Sequence, residues 1–276
     1  MSAVQDAFGR SLDELRDKKL FIFDMDGTIY TDGALYDGAA DLMREIERRG
    51  GHYVFFTNNS SKSVEEYIRR VEAMGIPVSK DNFSTSVDAT ASYLHENHAS
   101  ELVYCMGTAS LIDGLRHAGI RVTEDVDDNA SVVLLGFDTE LTSEKIRKTC
   151  EMLTHDVTYL ATNMDLACPA SFGFIPDCGA IACMIEAAAK RRPRFLGKPE
   201  PYMVETAMAR FSCSAAETAV VGDRLYTDIA AGVNANACSI CVLTGEATVE
   251  DVKTGDVTPT YTVDSVKDIL EALTRA

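Results

Sequence analysis

The sequence predicts an α/β protein: a Rossmann-like, doubly wound parallel-sheet core into which a second α/β module is inserted. Three observations predict it. Strand-like apolar runs alternate with helix-like segments along the 276 residues, the order that builds a parallel sheet covered on both faces. The first run, Leu20-Phe21-Ile22-Phe23, is apolar at every position, as a strand buried on both faces is. Runs that end in acids, amides or lysine stop at Asn59 and resume only at Lys198, so the stretch between them reads as a unit of its own. The boundaries that follow are 1–83 with 194–276 for the first module and 84–193 for the inserted one.

Composition narrows the function classes before any motif is read. The length suits one large or two modest domains and buries a sizeable core without disulfides. A net charge of −17 repels nucleic acid and anionic membranes, so neither is an expected partner. An anionic substrate then needs local positive charge at its site. No apolar run approaches the ~18 residues of a membrane span, and residues 1–19 are polar and amphipathic rather than a signal peptide. The eight Cys are scattered, several in apolar stretches (Cys105, Cys150, Cys183, Cys213), which fits buried thiols in a reducing cytoplasm. Cys238 and Cys241 have redox-motif spacing but sit in a strand-like run, where i and i+3 face opposite ways. His95 and His98 read as solvated surface.

In chain order, the run 20–23 ends in Asp24-Met25-Asp26-Gly27, two carboxylates and a turn former. Residues 37–49 read as a helix with Ala39, Leu42, Met43 and Ile46 as its stripe and Gly50-Gly51 as its stop. A strand at 52–56 runs into the donor-rich turn Thr57-Asn58-Asn59-Ser60-Ser61. Ser63 with Glu66 caps a helix whose core face is Val64, Tyr67, Ile68, Val71 and Met74. In the inserted module, helices at 87–97, around 111–115 and at 142–153 alternate with strands at 102–106, 132–137 and 157–161. Residues 162–170 and 171–179 read as irregular loops, and 179–190 as a helix. The first module resumes with a short strand at 195–199 carrying Lys198, then a helix with Pro199 and Pro201 near its first turn. A strand at 218–223 ends in Asp223. A small-residue helix through Gly232, a strand at 238–243 and a helix at 266–273 close the chain.

The strand ends are where the chemistry collects. Asp24 and Asp26, Thr57 and Asn58, Lys198, and Asp223 with Asp228 can converge on one rim, because parallel sheets bind ligands beyond their carboxyl ends. Two acids flush against a buried strand are costly to desolvate unless compensated. A divalent cation is the natural compensation, and oxygen ligands suit Mg²⁺. A nucleophile, a second acid, hydroxyl and amide donors and one cation are what phosphoryl transfer needs: positioning and charge neutralisation around a PO₃ group.

These residues resemble the four motifs of the haloacid dehalogenase superfamily. Asp24-Met25-Asp26-Gly27-Thr28 is similar to the first, Phe56-Thr57-Asn58-Asn59 to the second, Gly197-Lys198-Pro199 to the third and Gly222-Asp223-Arg224-x-x-Thr227-Asp228 to the fourth. The insertion and Leu243-Thr244-Gly245-Glu246 resemble the 4-nitrophenylphosphatase or NagD-like branch, whose insertion is a type-2 cap. The resemblance spans the chain from Lys19 onward. It implies that Asp24 attacks phosphorus to form an aspartyl phosphate and that Asp26 protonates the leaving alcohol and then activates water. It implies Mg²⁺ on the carboxylates of Asp24 and Asp223 and the backbone carbonyl of Asp26, with Asp228 orienting its neighbours or a bound water. Thr57, the Asn58 amide and Lys198 would hold phosphate oxygens, with Asn59 beside them as a further candidate or a plain turn residue.

The expected activity is hydrolysis of a small phosphorylated metabolite. Asp26 marks an alkoxide leaving group, since a halide needs no protonation. A phosphotransferase or mutase, and a catalytically silent metabolite-binding regulator, are the alternatives. Within the inserted segment, Asn163, Asp165 and Phe172 are the expected cap contacts to substrate. Some vitamin B6-phosphate phosphatases of this branch carry a His in the first loop; the similar place here holds Cys168, which speaks against that substrate. Nucleoside monophosphates, sugar phosphates and glycerol phosphate stay open, and a homodimer is the assembly that similar proteins suggest.

Overall fold

The computed structural model describes residues 3–170 and 172–275. Its strands in chain order are β1 (Leu20–Phe23), β2 (Tyr30–Thr31), β3 (Ala34–Leu35), β4 (His52–Thr57), β5 (Phe83–Thr85), β6 (Leu102–Met106), β7 (Arg121–Thr123) and β8 (Ala130–Leu135). They continue with β9 (Thr158–Ala161), β10 (Ala167–Ala170), β11 (Gly173–Pro176), β12 (Arg194–Phe195), β13 (Thr218–Gly222), β14 (Cys238–Val242) and β15 (Tyr261–Val263). The chain forms two compact units. One runs to Thr57, takes in Tyr67–Ser84 and resumes at Lys198; the other comprises Asn58–Glu66 and Thr85–Gly197.

The first unit is built on a six-stranded sheet in the order β15-β14-β13-β1-β4-β5. β1 sits inside it, parallel to β13 on one side and to β4 on the other. All four β1 side chains are buried, which is why the run carries no polar residue. Phe21 and Phe23 lie 6.1 Å apart, and Phe55 of β4 packs 6.5 Å from Phe23 and 5.7 Å from Phe83 of β5. The helix Ala39–Arg48 buries Leu42, Met43 and Ile46, the stripe its 3.6-residue period requires.

The second unit has a five-stranded sheet in the order β12-β9-β8-β6-β7, with parallel pairing throughout the registers of β6 to β9 and β12. One face is filled by Val133, Leu135, Met152, Ile181 and Ile185, the other by Val132, Leu134, Leu94, Leu111 and Leu115. Alternate β8 residues therefore serve opposite cores.

Several elements differ from the sequence expectation. Residues 162–179 hold the antiparallel hairpin β10–β11 instead of two irregular loops; a two-stranded ribbon has only edges, where a proline such as Pro169 is tolerated. Ser171 lies outside the described residues. The expected core strand at 195–199 is instead β12, which pairs with β9 in the five-stranded sheet, because Phe195 packs into that unit's apolar cluster. Lys198 follows it in a turn. β5, β7 and β15 are three residues each, too short to show a period, and the helix Val249–Thr254 is likewise one turn and a half.

None of the eight cysteines is in a disulfide. Cys238 and Cys241 are buried in β14, and burial pushes their thiols up to about 11 and about 12, which keeps them protonated and inert. His95 Nε2 is spent on the Ala118 carbonyl at 2.7 Å, while His98 pairs with Glu101 at 3.1 Å. Among the described residues no helix is long and apolar enough to cross a membrane.

Candidate active site

The carboxyl ends of β1 and β13 deliver the acids. Asp24 N–H donates to the Val221 carbonyl at 2.8 Å, extending the β1–β13 ladder by one residue. The chain then folds tightly back: Gly27 N–H donates to the Tyr30 carbonyl at 2.9 Å, and Thr28 and Ile29 N–H donate to the Met25 carbonyl at 3.2 and 3.0 Å. Gly27 has φ +88°, and a Cβ there would stand 2.7 Å from Asp223 Oδ2. The position therefore excludes a side chain on both conformational and steric grounds. β13 ends in Gly222 and hands on Asp223, after which one wide π-helical turn, Leu225–Ile229, returns Asp228 to the same place. Such turns widen a helix locally and recur at functional sites.

Asp24, Asp223 and Asp228 each offer a carboxylate oxygen, and these atoms lie within 4.8 Å of one another. Lys198 Nζ donates to Asp24 Oδ1 and to Asp228 Oδ1, both at 2.6 Å. Its ammonium also sits 4.2 Å from the centre of the Phe56 ring. Lys198 is 3% exposed, so its charge is held by these partners and not by solvent. Asp223 Oδ2 accepts from the Glu246 N–H at 2.8 Å and its Oδ1 from the Thr28 hydroxyl at 3.4 Å. Asp228 Oδ2 accepts from the Arg224 N–H at 3.0 Å.

Three carboxylates, Asp223 and Asp228 buried and Asp24 partly so, against one ammonium leave an excess of negative charge. Burial pushes the Asp24 carboxyl well above the ordinary carboxylate range; Lys198 opposes this, while Asp228 and Asp223 add to it. Asp223 is raised to about 6, by burial first and then by Asp228, against the Glu246 N–H, Arg224 and Lys198. For Lys198 burial acts downward, yet Asp228 and Asp24 overcome it and drive the ammonium up, so it stays a cation. The shortfall of two positive charges, on clustered hard oxygens, suits a divalent cation. Glycines shape the space: a Cβ at Gly245 would lie 2.0 Å from Asp223 Oδ2, and one at Gly222 would lie 2.2 Å from Asp228 Cβ.

Asp26 stands outside this trio. It is exposed, and its Oδ2 accepts from the Tyr30 hydroxyl at 3.1 Å while Oδ1 lies 3.4 Å from Arg70 Nη2. Thr57 ends β4, buried beside β1. The structure thus brings Asp24, Asp223, Asp228 and Lys198 together, with Lys198 bonded to Asp24 and Asp228, while the Asp26 side chain meets Tyr30 and Arg70 instead.

The remaining predicted residues belong to the second unit. The Asn58 carbonyl accepts from Ser86 Oγ at 2.8 Å and from Asn163 Nδ2 at 2.7 Å. Asn58 Nδ2 donates to Asp165 Oδ1 at 3.3 Å, and Asp165 N–H donates to Asn163 Oδ1 at 3.0 Å. Asn163 and Asp165 are buried, and here they form a polar clamp on Asn58; neither is the exposed group the sequence suggested. Asn59 Oδ1 accepts from Ser61 N–H and Oγ at 2.9 and 2.6 Å, a local turn of its own. Phe172 is 80% exposed, with Leu166 and Phe174 also exposed on the same hairpin segment. Tyr30 and Arg70 escaped sequence reading: Arg70 lies on the polar side of its helix, and nothing in its spacing sets it apart from a solvated charge.

Comparison with known proteins agrees with this geometry. Residues 21–121 match the haloacid dehalogenase-like hydrolase family model, and residues 195–269 match a HAD-hydrolase-like model. The chain is 33% identical to an acid sugar phosphatase of Staphylococcus aureus (strain MRSA252), over 94% of this chain and 98% of that protein. The crystal structure of 4-nitrophenylphosphatase from Thermotoga maritima superposes with a TM-score of 0.89 at 36% identity, covering 95% of this chain and 99% of that one. NagD from E. coli K-12 gives a TM-score of 0.83 at 29% identity, over 94% and 98% of the two chains. With relatives of this length and likeness, the chain belongs to the haloacid dehalogenase-like hydrolases, as a phosphatase of the 4-nitrophenylphosphatase and NagD-like branch.

Proposed function

We propose that this phosphatase hydrolyses monoesters of small phosphometabolites with Mg²⁺ as cofactor, through a phosphoryl group carried on Asp24. The observation that supports it most is the buried Lys198 bridge between Asp24 and Asp228, because it pairs a nucleophile with the cation an incoming phosphate needs. Asp24, Asp223 and the Asp26 carbonyl would hold the metal ion, which supplies charge neutralisation at the transferring phosphoryl group. Lys198, Thr57 and the Asn58 backbone N–H would hold phosphate oxygens, with Asn59 shaping the turn that presents them. Asp24 would attack phosphorus as the ester P–O bond breaks, and Asp26 would give its proton to the departing oxygen. Asp26 would then take a proton from water as that water attacks phosphorus and frees Asp24. Asp228, bonded to Lys198 and to the Arg224 N–H, would hold the lysine in place.

The second unit would act as the cap. The chain first enters it after Thr57 and leaves it for the last time at Gly197, beside the proposed phosphate ligands Asn58 and Lys198. Phe172 would meet the leaving group, and Asn163 and Asp165 would act by fixing Asn58. The acid sugar phosphatase relatives make sugar phosphates the first substrates to try. The test is release of inorganic phosphate from a panel of phosphometabolites and 4-nitrophenyl phosphate, with Mg²⁺ and with EDTA. Metal-dependent release and an acid-stable, hydroxylamine-sensitive phosphoprotein are expected. Binding without turnover overturns the proposal, and turnover that sugar acceptors accelerate makes the chain a phosphotransferase.

A further inference from the structure

We propose that Tyr30 and Arg70 are positioning residues that hold the Asp26 carboxyl for proton transfer to the leaving group, Tyr30 anchoring Oδ2 and Arg70 facing Oδ1. The inference rests on the reading of Asp26 as the proton donor and adds to it residues that neither the motifs nor the comparisons assign.

Asp26 is a half-exposed side chain on a tight loop, and a free carboxyl there would turn about its Cα–Cβ and Cβ–Cγ bonds. The surroundings remove that freedom. The Tyr30 ring is fully buried, and its backbone is tied to the same loop: Tyr30 N–H donates to the Met25 carbonyl at 3.3 Å, and its carbonyl accepts from Gly27 N–H at 2.9 Å. The hydroxyl at the end of that fixed ring donates to Asp26 Oδ2 at 3.1 Å. Arg70 lies over the Tyr30 ring, its guanidinium carbon 4.5 Å from the ring centre and its Nη2 3.4 Å from Asp26 Oδ1. Stacking fixes the guanidinium plane, so each carboxyl oxygen has its own fixed neighbour.

The two contacts differ in kind. The Tyr30 bond is a neutral donor from a buried, immobile group. The Arg70 contact is longer and partly solvated, side chains being 34% and 52% exposed, and as a bare surface pair it would contribute little to stability. Its value is differential. When Asp26 gives its proton to the departing alkoxide, the carboxylate that forms lies beside the guanidinium, which attracts it more strongly than it attracts the neutral acid. An interaction that strengthens as the reaction proceeds lowers the barrier to that step. The proton goes to the oxygen of the breaking P–O bond, and the negative charge it leaves on Asp26 meets Arg70. In the second half-reaction the same carboxylate recovers a proton from water.

The dependence on leaving group separates this from a structural role. The value of kcat/KM reports steps only through loss of the alcohol, so it isolates the first proton transfer. Arg70→Ala should lower kcat/KM for an alkyl ester such as glycerol phosphate by about tenfold, a modest part of the 10²–10⁴ that general acid catalysis supplies. For acetyl phosphate, whose leaving carboxylate needs no proton, the change should be below about twofold. Tyr30→Phe should show the same split, and Arg70→Lys should recover much of the alkyl-ester rate. Equal losses on both substrates, or none on the alkyl ester, overturn the proposal. Asp26→Asn is the control: if it too loses both substrates equally, Asp26 is not the donor and the underlying reading falls; if it shows the split and Arg70→Ala does not, only the positioning role falls.

Discussion

Lys198 Nζ stands 2.6 Å from Asp24 Oδ1, a contact made across 174 residues of sequence by two side chains that are nearly out of solvent. Removing one member of a buried ion pair leaves the other charge uncompensated, at about 3–5 kcal/mol. Lys198→Met should therefore lower the melting temperature at pH 7.5 in EDTA, and less so at pH 5, where the carboxyls take up protons instead. Phosphatase turnover should fall by at least about a hundredfold. A variant as stable and as active as the parent would remove Lys198 from the site.

Asp24→Asn keeps the shape of the side chain and loses the nucleophile. Turnover should drop by several decades, no radiolabelled phosphoenzyme should be trapped on rapid quench, and the circular dichroism should be unchanged. More than about a tenth of the parent rate would sink the assignment.

The raised Asp223 carboxyl gives a pH signature. Its value of about 6 lies above the ordinary 3.8, so between these the folded chain holds a proton that the unfolded chain has lost. Stability in EDTA is then fully present below about pH 4 as far as this group is concerned, and declines as pH rises towards and through 6. A divalent ion competes with the same proton, so Mg²⁺ should bind more tightly across that window. The rise in melting temperature on adding Mg²⁺ should be larger at pH 7.5 than at pH 5. An equal rise at both values would put the ion somewhere other than Asp223.

Gly245 tests the packing around that carboxylate. A methyl group there would overlap Asp223 Oδ2, at 2.0 Å, and would also crowd the bond from the Glu246 N–H. Gly245→Ala should raise the Mg²⁺ concentration for half-maximal rate by about tenfold or more and destabilise by about 1–3 kcal/mol. A titration midpoint within about twofold of the parent would show that Asp223 is free to move without harm to the metal site.

Much of this was legible in the sequence because its physical signals were local. The unbroken apolar run of β1 announced a central strand, and Asp24, Lys198, Asp223 and Asp228 stood out as costly residues beside apolar ones. What stayed hidden depended on long-range placement. The β10–β11 hairpin read as irregular loops, since sequence does not say that a strand will have only free edges. Phe195 looked like the start of a core strand, yet it fills the other unit's apolar cluster. Asn163 and Asp165 read as exposed loop groups, and only the fold reveals that their hydrogen bonds close on Asn58. Arg70 carries no local signal at all, because its partners Tyr30 and Asp26 lie 40 or more positions away in the sequence.

Substrate choice is proposed to lie with the second unit. Phe172 is the most exposed large apolar side chain of the described residues, and it sits between β10 and β11. An exposed phenyl ring contributes almost nothing to folding, so Phe172→Ala should leave stability within about 0.5 kcal/mol of the parent. If the ring packs against a leaving group, its loss should matter only where there is a leaving group to pack against. One buried apolar contact of this size is worth about 1–3 kcal/mol of discrimination. The kcat/KM for a sugar phosphate should therefore fall by roughly ten- to a hundredfold, while that for acetyl phosphate stays close to the parent. Asp165→Asn should behave differently. That side chain is buried and accepts from Asn58 Nδ2, so through Asn58 it should slow both substrates. A panel of sugar, nucleoside and glycerol phosphates measured with both variants separates the two cases. If Phe172→Ala leaves the ranking of the panel untouched, this hairpin does not select the substrate.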